Sequence, residues 1–129
     1  MPTTPLYATI LALLFVALSV RTINLRRRYR IVIGDGGNAL LQRAMRVNAN
    51  FAEYVPLTLL LIHFVELHDG PRLHVHALGI TLVCGRLLHA WGVSQVKENL
   101  RYRVAGMMLT FSVMLMACML ILVYQVMGY

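Results

Sequence analysis

Four stretches of largely apolar residues, each near the length needed to cross a bilayer, leave this chain little freedom in what it can fold into. A membrane-spanning helix takes about 20 such residues, and the stretches here fall at about 5–25, 51–67, 73–96 and 104–127. Lipid offers no partner for a bare backbone amide or carbonyl, so segments of this kind satisfy themselves internally, as helices. Only short connections remain among the 129 residues. The expectation is one domain, residues 1–129, built as an all-α integral membrane bundle of four transmembrane helices.

Charge is placed as that reading requires. Charged residues make up 13% of the chain against 59% hydrophobic, and the net charge is +7. The basic residues flank apolar runs, where they act as topology determinants rather than as a nucleic-acid footprint, and no nucleic-acid partner is expected. No charged side chain occurs in the first twenty residues, whereas Arg21, Arg26, Arg27, Arg28 and Arg30 follow the first run. A signal peptide carries its basic residues before the apolar core, so this segment is expected to be retained. By the positive-inside rule the first loop is cytoplasmic. The segment Glu66 to Arg72, with Asp69-Gly70-Pro71, reads as an outer turn, and Lys97 to Arg103, with three basic residues and one acid, as a second cytoplasmic loop. Both termini then lie outside. Gly34-Asp35-Gly36-Gly37-Asn38 punctuates the first loop, with Asn38 placed to cap the second helix. Trp91, Tyr102 and Tyr129 suit interfacial anchoring.

Metal chemistry is not indicated. Cys84 and Cys118 sit inside apolar segments, where a thiol behaves as a small hydrophobe. His74 and His76 are two residues apart, which puts them on different sides of a helix.

The second span departs from lipid compatibility. At about 100° per residue, Arg43, Arg46, Asn50, Glu53, Tyr54 and Leu57 share one face of a helix, while Asn48 projects elsewhere. Charge inside a span costs a few kcal/mol per residue and therefore faces a bundle interior or a wet cavity. Pro56 removes one helical hydrogen bond and frees the carbonyl of Ala52. One reading of the stripe is structural, an ion pair of Glu53 with Arg46 or Arg86. The other is a ligand site: Arg26, Arg30, Arg43, Arg46, Arg86, Arg101 and Arg103 are expected in or beside the cytoplasmic half, and one glutamate cannot neutralise them. Guanidinium groups bind carboxylates bidentately, so a small polyanion is the implied ligand.

The run Arg43-x-x-Arg46-x-x-x-Asn50-x-x-Glu53-Tyr54-x-Pro56, at the start of the second of four spans, resembles the MAPEG superfamily of membrane-associated proteins in eicosanoid and glutathione metabolism. The resemblance covers most of the chain. It implies a bacterial-type member of the inner membrane, a homotrimer binding glutathione as co-substrate between subunits near the cytoplasmic face, and a lipophilic second substrate arriving from the lipid. Carried over residue by residue, Arg46, Asn50, Glu53 and Tyr54 match glutathione-contacting positions, with Arg43 and one of Arg26 or Arg30 as further carboxylate partners. His89 matches a contact in the third span. Arg103, or Arg101 if the loop length differs, matches the arginine that stabilises the glutathione thiolate. Asn48 stands where catalytic relatives often carry histidine or glutamine, and Val93 where many carry a second tyrosine.

The activity so implied is a glutathione-dependent transferase or peroxidase acting on lipophilic electrophiles or hydroperoxides. Two rivals share parts of the pattern. A non-catalytic relative that binds lipid would keep the fold without turnover. A small proton-coupled multidrug transporter also has four short helices and one intramembrane glutamate, but adjoining arginines lower a carboxyl pKa and hinder proton uptake.

Overall fold

The computed structural model describes residues 1–68 and 71–128, and places four helices among them: α1 Thr4–Tyr29, α2 Ala39–Leu67, α3 Arg72–Ser94 and α4 Leu100–Met127. Each is long and apolar enough to cross a membrane. The anchoring expected of Tyr129 and the Asp69-Gly70 part of the outer turn lie outside the described residues. At about 1.5 Å per residue, the 29 residues of α2 exceed the roughly 30 Å of a hydrocarbon core, which leaves length to spare for the first turns, where Arg43 and Arg46 stand.

The helix ends follow from local chemistry. Pro5 stands in the first turn of α1, where its missing N–H leaves nothing unsatisfied. Thr3 makes no side-chain cap; the carboxylate of Glu66 accepts the backbone N–H groups of Thr3 and Thr4 instead. Glu66 therefore belongs to the last turn of α2 rather than to the following turn, and its charge faces the positive end of the α1 dipole. Asn38 caps α2 as expected, its side-chain oxygen accepting from the Leu41 N–H at 2.9 Å. Asn99 caps α4 in the same way through Arg101 N–H. Beyond Pro56, the fully buried hydroxyl of Thr58 donates to the Tyr54 carbonyl at 2.7 Å, which keeps a polar side chain satisfied inside an apolar helix.

Helices α2 and α3 each touch all the others, whereas α1 and α4 do not touch one another. The core runs along the central pair, through Val47, Phe51, Val55 and Ile62 of α2 and Val75, Leu78 and Leu82 of α3. Lipid is as apolar as leucine, so close van der Waals approach must hold such helices together. The α3–α4 contact achieves this with glycine. A Cβ on Gly106 would lie 2.6 Å from both Gly85 O and His89 N, and one on Gly85 would lie 2.9 Å from Leu109 Cβ. Large aliphatic side chains point outward on every helix, among them Leu13, Leu57, Ile80 and Leu115, a surface suited to acyl chains and not to water.

The two histidines at 74 and 76 diverge as their spacing predicts. His74 Nδ1 meets Tyr124 OH on α4 at 2.7 Å, and His76 Nδ1 meets Tyr7 OH on α1 at 2.8 Å. No group of three metal-ligating side chains occurs among the described residues.

Gly106→Val should force α3 and α4 apart and lower stability by about 1–3 kcal/mol, the usual effect of overpacking. Thermal unfolding in detergent checks this: the midpoint should fall for Gly106→Val and stay unchanged for Cys118→Ala, whose site is exposed.

Candidate functional site

One charge is buried outright. Arg86 is 0% exposed and sits eight residues, about 12 Å, inside the end of α3. Its Nη2 donates to Asn50 Oδ1 at 2.7 Å and meets His89 Nδ1 at 3.3 Å. Nη1 lies 3.8 Å from Met107 sulfur, the guanidinium carbon stands 5.6 Å from the Phe51 ring centroid, and Nε has no hydrogen-bond partner. A guanidinium cannot accept, so His89 must accept through Nδ1 and carry its ring proton on Nε2. Among the described residues, no carboxylate joins this group. The structural alternative, an ion pair of Glu53 with Arg46 or Arg86, does not form: Glu53 is exposed and makes no ion pair among the described residues. The reason is the rotation of α2 against α3, which turns Asn50 to Arg86 and leaves Glu53, three residues on, exposed on the outside of the bundle.

Towards the end of the bundle where α2 and α4 begin, a cavity of about 160 Å³ is lined by Gln42, Arg43, Arg46, Val93, Glu98 and Arg103. Arg43 Nη1 bonds Glu98 Oε2 at 2.7 Å and the Val93 carbonyl at 3.2 Å; Arg103 Nη1 is 3.9 Å from Glu98 Oε1. Glu98 was not singled out by sequence, although it is the only acid in the second basic loop. Between the two candidates for the α4 arginine, Arg103 lines this cavity and the exposed Arg101 does not.

The seven arginines do not form one cluster in the bundle. Arg26 spends its guanidinium on its own loop, donating to Gly34 O at 2.9 Å and more weakly to Ile31 O and Val32 O. Arg30 ends α1 in a left-handed conformation, φ 53°, and with Arg26 and Arg27 lines a separate cavity. The cause is the arrangement of helices: α1 flanks α2 on the side away from α4, so its basic end cannot reach Arg103. Tyr54 packs edge-on against Phe111 of α4, ring centroids 5.4 Å apart, and Asn48 accepts from Ser19 on α1.

Beside Arg86 lies an apolar groove of about 250 Å³ between α1 and α2, lined by Phe15, Phe51, Ala52, Pro56 and Leu59 among others. Phe51 stacks on Phe15 at 5.3 Å, and the same ring meets the Arg86 guanidinium. A single aromatic residue thus borders both the apolar groove and the buried cation. A further cavity of about 380 Å³ lies at the opposite end of the bundle, beside Glu66 and Arg72.

Comparison with known proteins adds an independent finding. The family model described as the MAPEG family matches residues 4–123. The chain is 38% identical over 111 residues to the inner membrane protein YecN of Escherichia coli strain K12, covering 86% of this chain and 83% of the relative. The same figures hold for YecN of an O6:H1 strain of that species.

Removing the acceptor of a buried cation should be costly. Asn50→Leu is expected to destabilise by about 1.5–3 kcal/mol, the range for hydrogen bonds to charged groups. Adding Arg86→Met should recover most of the loss, since an apolar pair leaves no orphaned charge. Thermal unfolding of the single and double variants measures the coupling, and additive losses would contradict it.

Proposed function

The chain belongs to the MAPEG family, and on that premise we propose that it is a glutathione-dependent transferase or peroxidase of the bacterial inner membrane, acting on lipophilic electrophiles or hydroperoxides. The observation that carries the reading is the cavity of Arg43, Arg46 and Arg103, in which cations outnumber the single acid, Glu98. Glutathione supplies two carboxylates for guanidinium groups and one ammonium for a carboxylate. The apolar groove next to Phe51 offers the lipophilic partner a place on the same face of α2 as Ala52 and Pro56.

In this reading Arg46, with Arg43 beside it, and one of Arg26 or Arg30 hold the carboxylates, Glu53 the ammonium, and Asn50, Tyr54 and His89 complete the contacts. Arg103 stabilises the thiolate. A thiol with a pKa of about 8.5 is mostly protonated near neutral pH, and a guanidinium beside the sulfur shifts the balance towards the nucleophile. The thiol proton leaves to solvent; the sulfur then attacks the electrophilic carbon, a bond forms there, and the leaving group departs with its electron pair. With a hydroperoxide the sulfur attacks oxygen, the O–O bond breaks to an alcohol, and a second glutathione yields the disulfide and water. Glu53 faces outward and Arg26 and Arg30 lie apart from Arg103, which suits a site shared between subunits of a homotrimer. The basic loops would face the cytoplasm, with both termini outside.

Glutathione should raise the unfolding midpoint of the detergent-solubilised protein, by about 2.7 kcal/mol of stability at a hundred times Kd. Conjugation of a chloronitroaromatic electrophile should be detectable and lost in Arg103→Ala while a lipid-facing variant, Leu115→Ala, retains it. No shift at millimolar glutathione would sink the reading. A shift without turnover would instead support a lipid-binding relative that has kept the ligand and lost the chemistry.

A further inference from the structure

Glu98 has no part in the chemistry just described, yet it sits in the middle of the cavity that chemistry needs. Its side chain is only 8% exposed, and Oε2 holds Arg43 Nη1 at 2.7 Å. The same Nη1 also serves the Val93 carbonyl, so that donor is fully engaged within the protein. Oε1 is buried without a hydrogen-bond partner, and Arg103 Nη1 stands 3.9 Å from it, too far for a bond. A carboxylate with one oxygen held and the other desolvated and unsatisfied is less stable than one fully bonded.

From this arrangement we infer that Glu98 is an internal counterion: it occupies the position of a ligand carboxylate on Arg43, next to Arg103, and must withdraw before an anionic ligand binds there. The inference rests on the proposed glutathione site for the identity of the ligand, but not for the existence of the lock. Glu98 is the only acid lining a cavity that contains Arg43, Arg46 and Arg103, so an entering carboxylate competes with it for the same guanidinium forks. Its place in the chain permits the movement. It lies in the connection between Gln95, which caps α3, and Asn99, which caps α4, so its side chain swings without repacking either helix. The consequence is selectivity. A neutral molecule cannot replace the charge that Arg43 loses, so the site opens to ligands that bring a carboxylate of their own.

The charge-neutral variant Glu98→Gln tests this on the full chain in lipid nanodiscs, with two readouts. Arg43 and Arg103 should react faster with phenylglyoxal, followed by peptide mass, because their counterion is gone. Glutathione measured by calorimetry should bind roughly twofold to fivefold tighter, the scale of a partly exposed ion pair. Faster labelling with no glutathione binding in either protein would support the lock and sink the glutathione reading. Weaker glutathione binding, or labelling that stays the same or slows, would overturn the inference and make Glu98 a group that holds Arg43 ready for the ligand. If Glu98→Gln does not fold, Glu98→Asp retracts the carboxylate by one carbon and should accelerate labelling to a lesser degree; unchanged labelling there counts against the lock.

Discussion

The hydrogen bond from Arg86 to Asn50 is the contact on which the rest of the bundle depends. A fully buried guanidinium in a span is tolerated only if something answers its donors, and here an uncharged amide does so at 2.7 Å, helped by the His89 ring and the Phe51 face. Because the acceptor carries no charge, the pair is not neutral. A positive centre persists inside the apolar bundle, and intramembrane charge of this kind is the usual mark of a ligand or ion path. The bond also fixes the rotation of α2 against α3. With Asn50 turned to α3, Glu53 points out of the bundle and Arg43 and Arg46 flank the cavity near α4.

Packing in the neighbouring contact supports that geometry. Helices α2 and α3 form the centre, and α4 is drawn onto α3 where Gly85 and Gly106 leave no room for side chains. The backbone of Gly106 lies against His89. The glycine contact therefore sets both how tightly the bundle closes and where the histidine beside Arg86 sits. Stability and site geometry are coupled through one pair of small residues, as expected where lipid supplies no hydrophobic drive between helices.

Seven of the eleven arginines fall into three sets with different environments: Arg26, Arg27 and Arg30 around the first loop, Arg43, Arg46 and Arg103 around Glu98, and Arg86 alone in the interior. The first set secures its own loop, the second presents cations to a cavity, and the third polarises the core. An apolar groove meets the third set across the ring of Phe51. The ring of Phe51 thus forms a boundary, with a buried cation on one side and apolar space on the other.

Sequence alone determined the four spans, because backbone hydrogen bonding in lipid admits few alternatives to a helix of about twenty apolar residues. It also determined the Asn38 cap, the polar face of α2 and, through Arg43 to Pro56, the family. Partner choice was another matter. Helical phase showed that Asn50 and Glu53 share a broad face, but not that Asn50 alone meets Arg86, since that depends on how α2 is rotated against α3. Glu98 looked like one acid in a basic loop until the fold set it between Arg43 and Arg103, 55 and 5 residues away along the chain. Composition counts charges, whereas their pairing is decided by which helices touch. Here α1 and α4 do not, and the arginines that seemed one cluster in sequence are separated by the bundle itself.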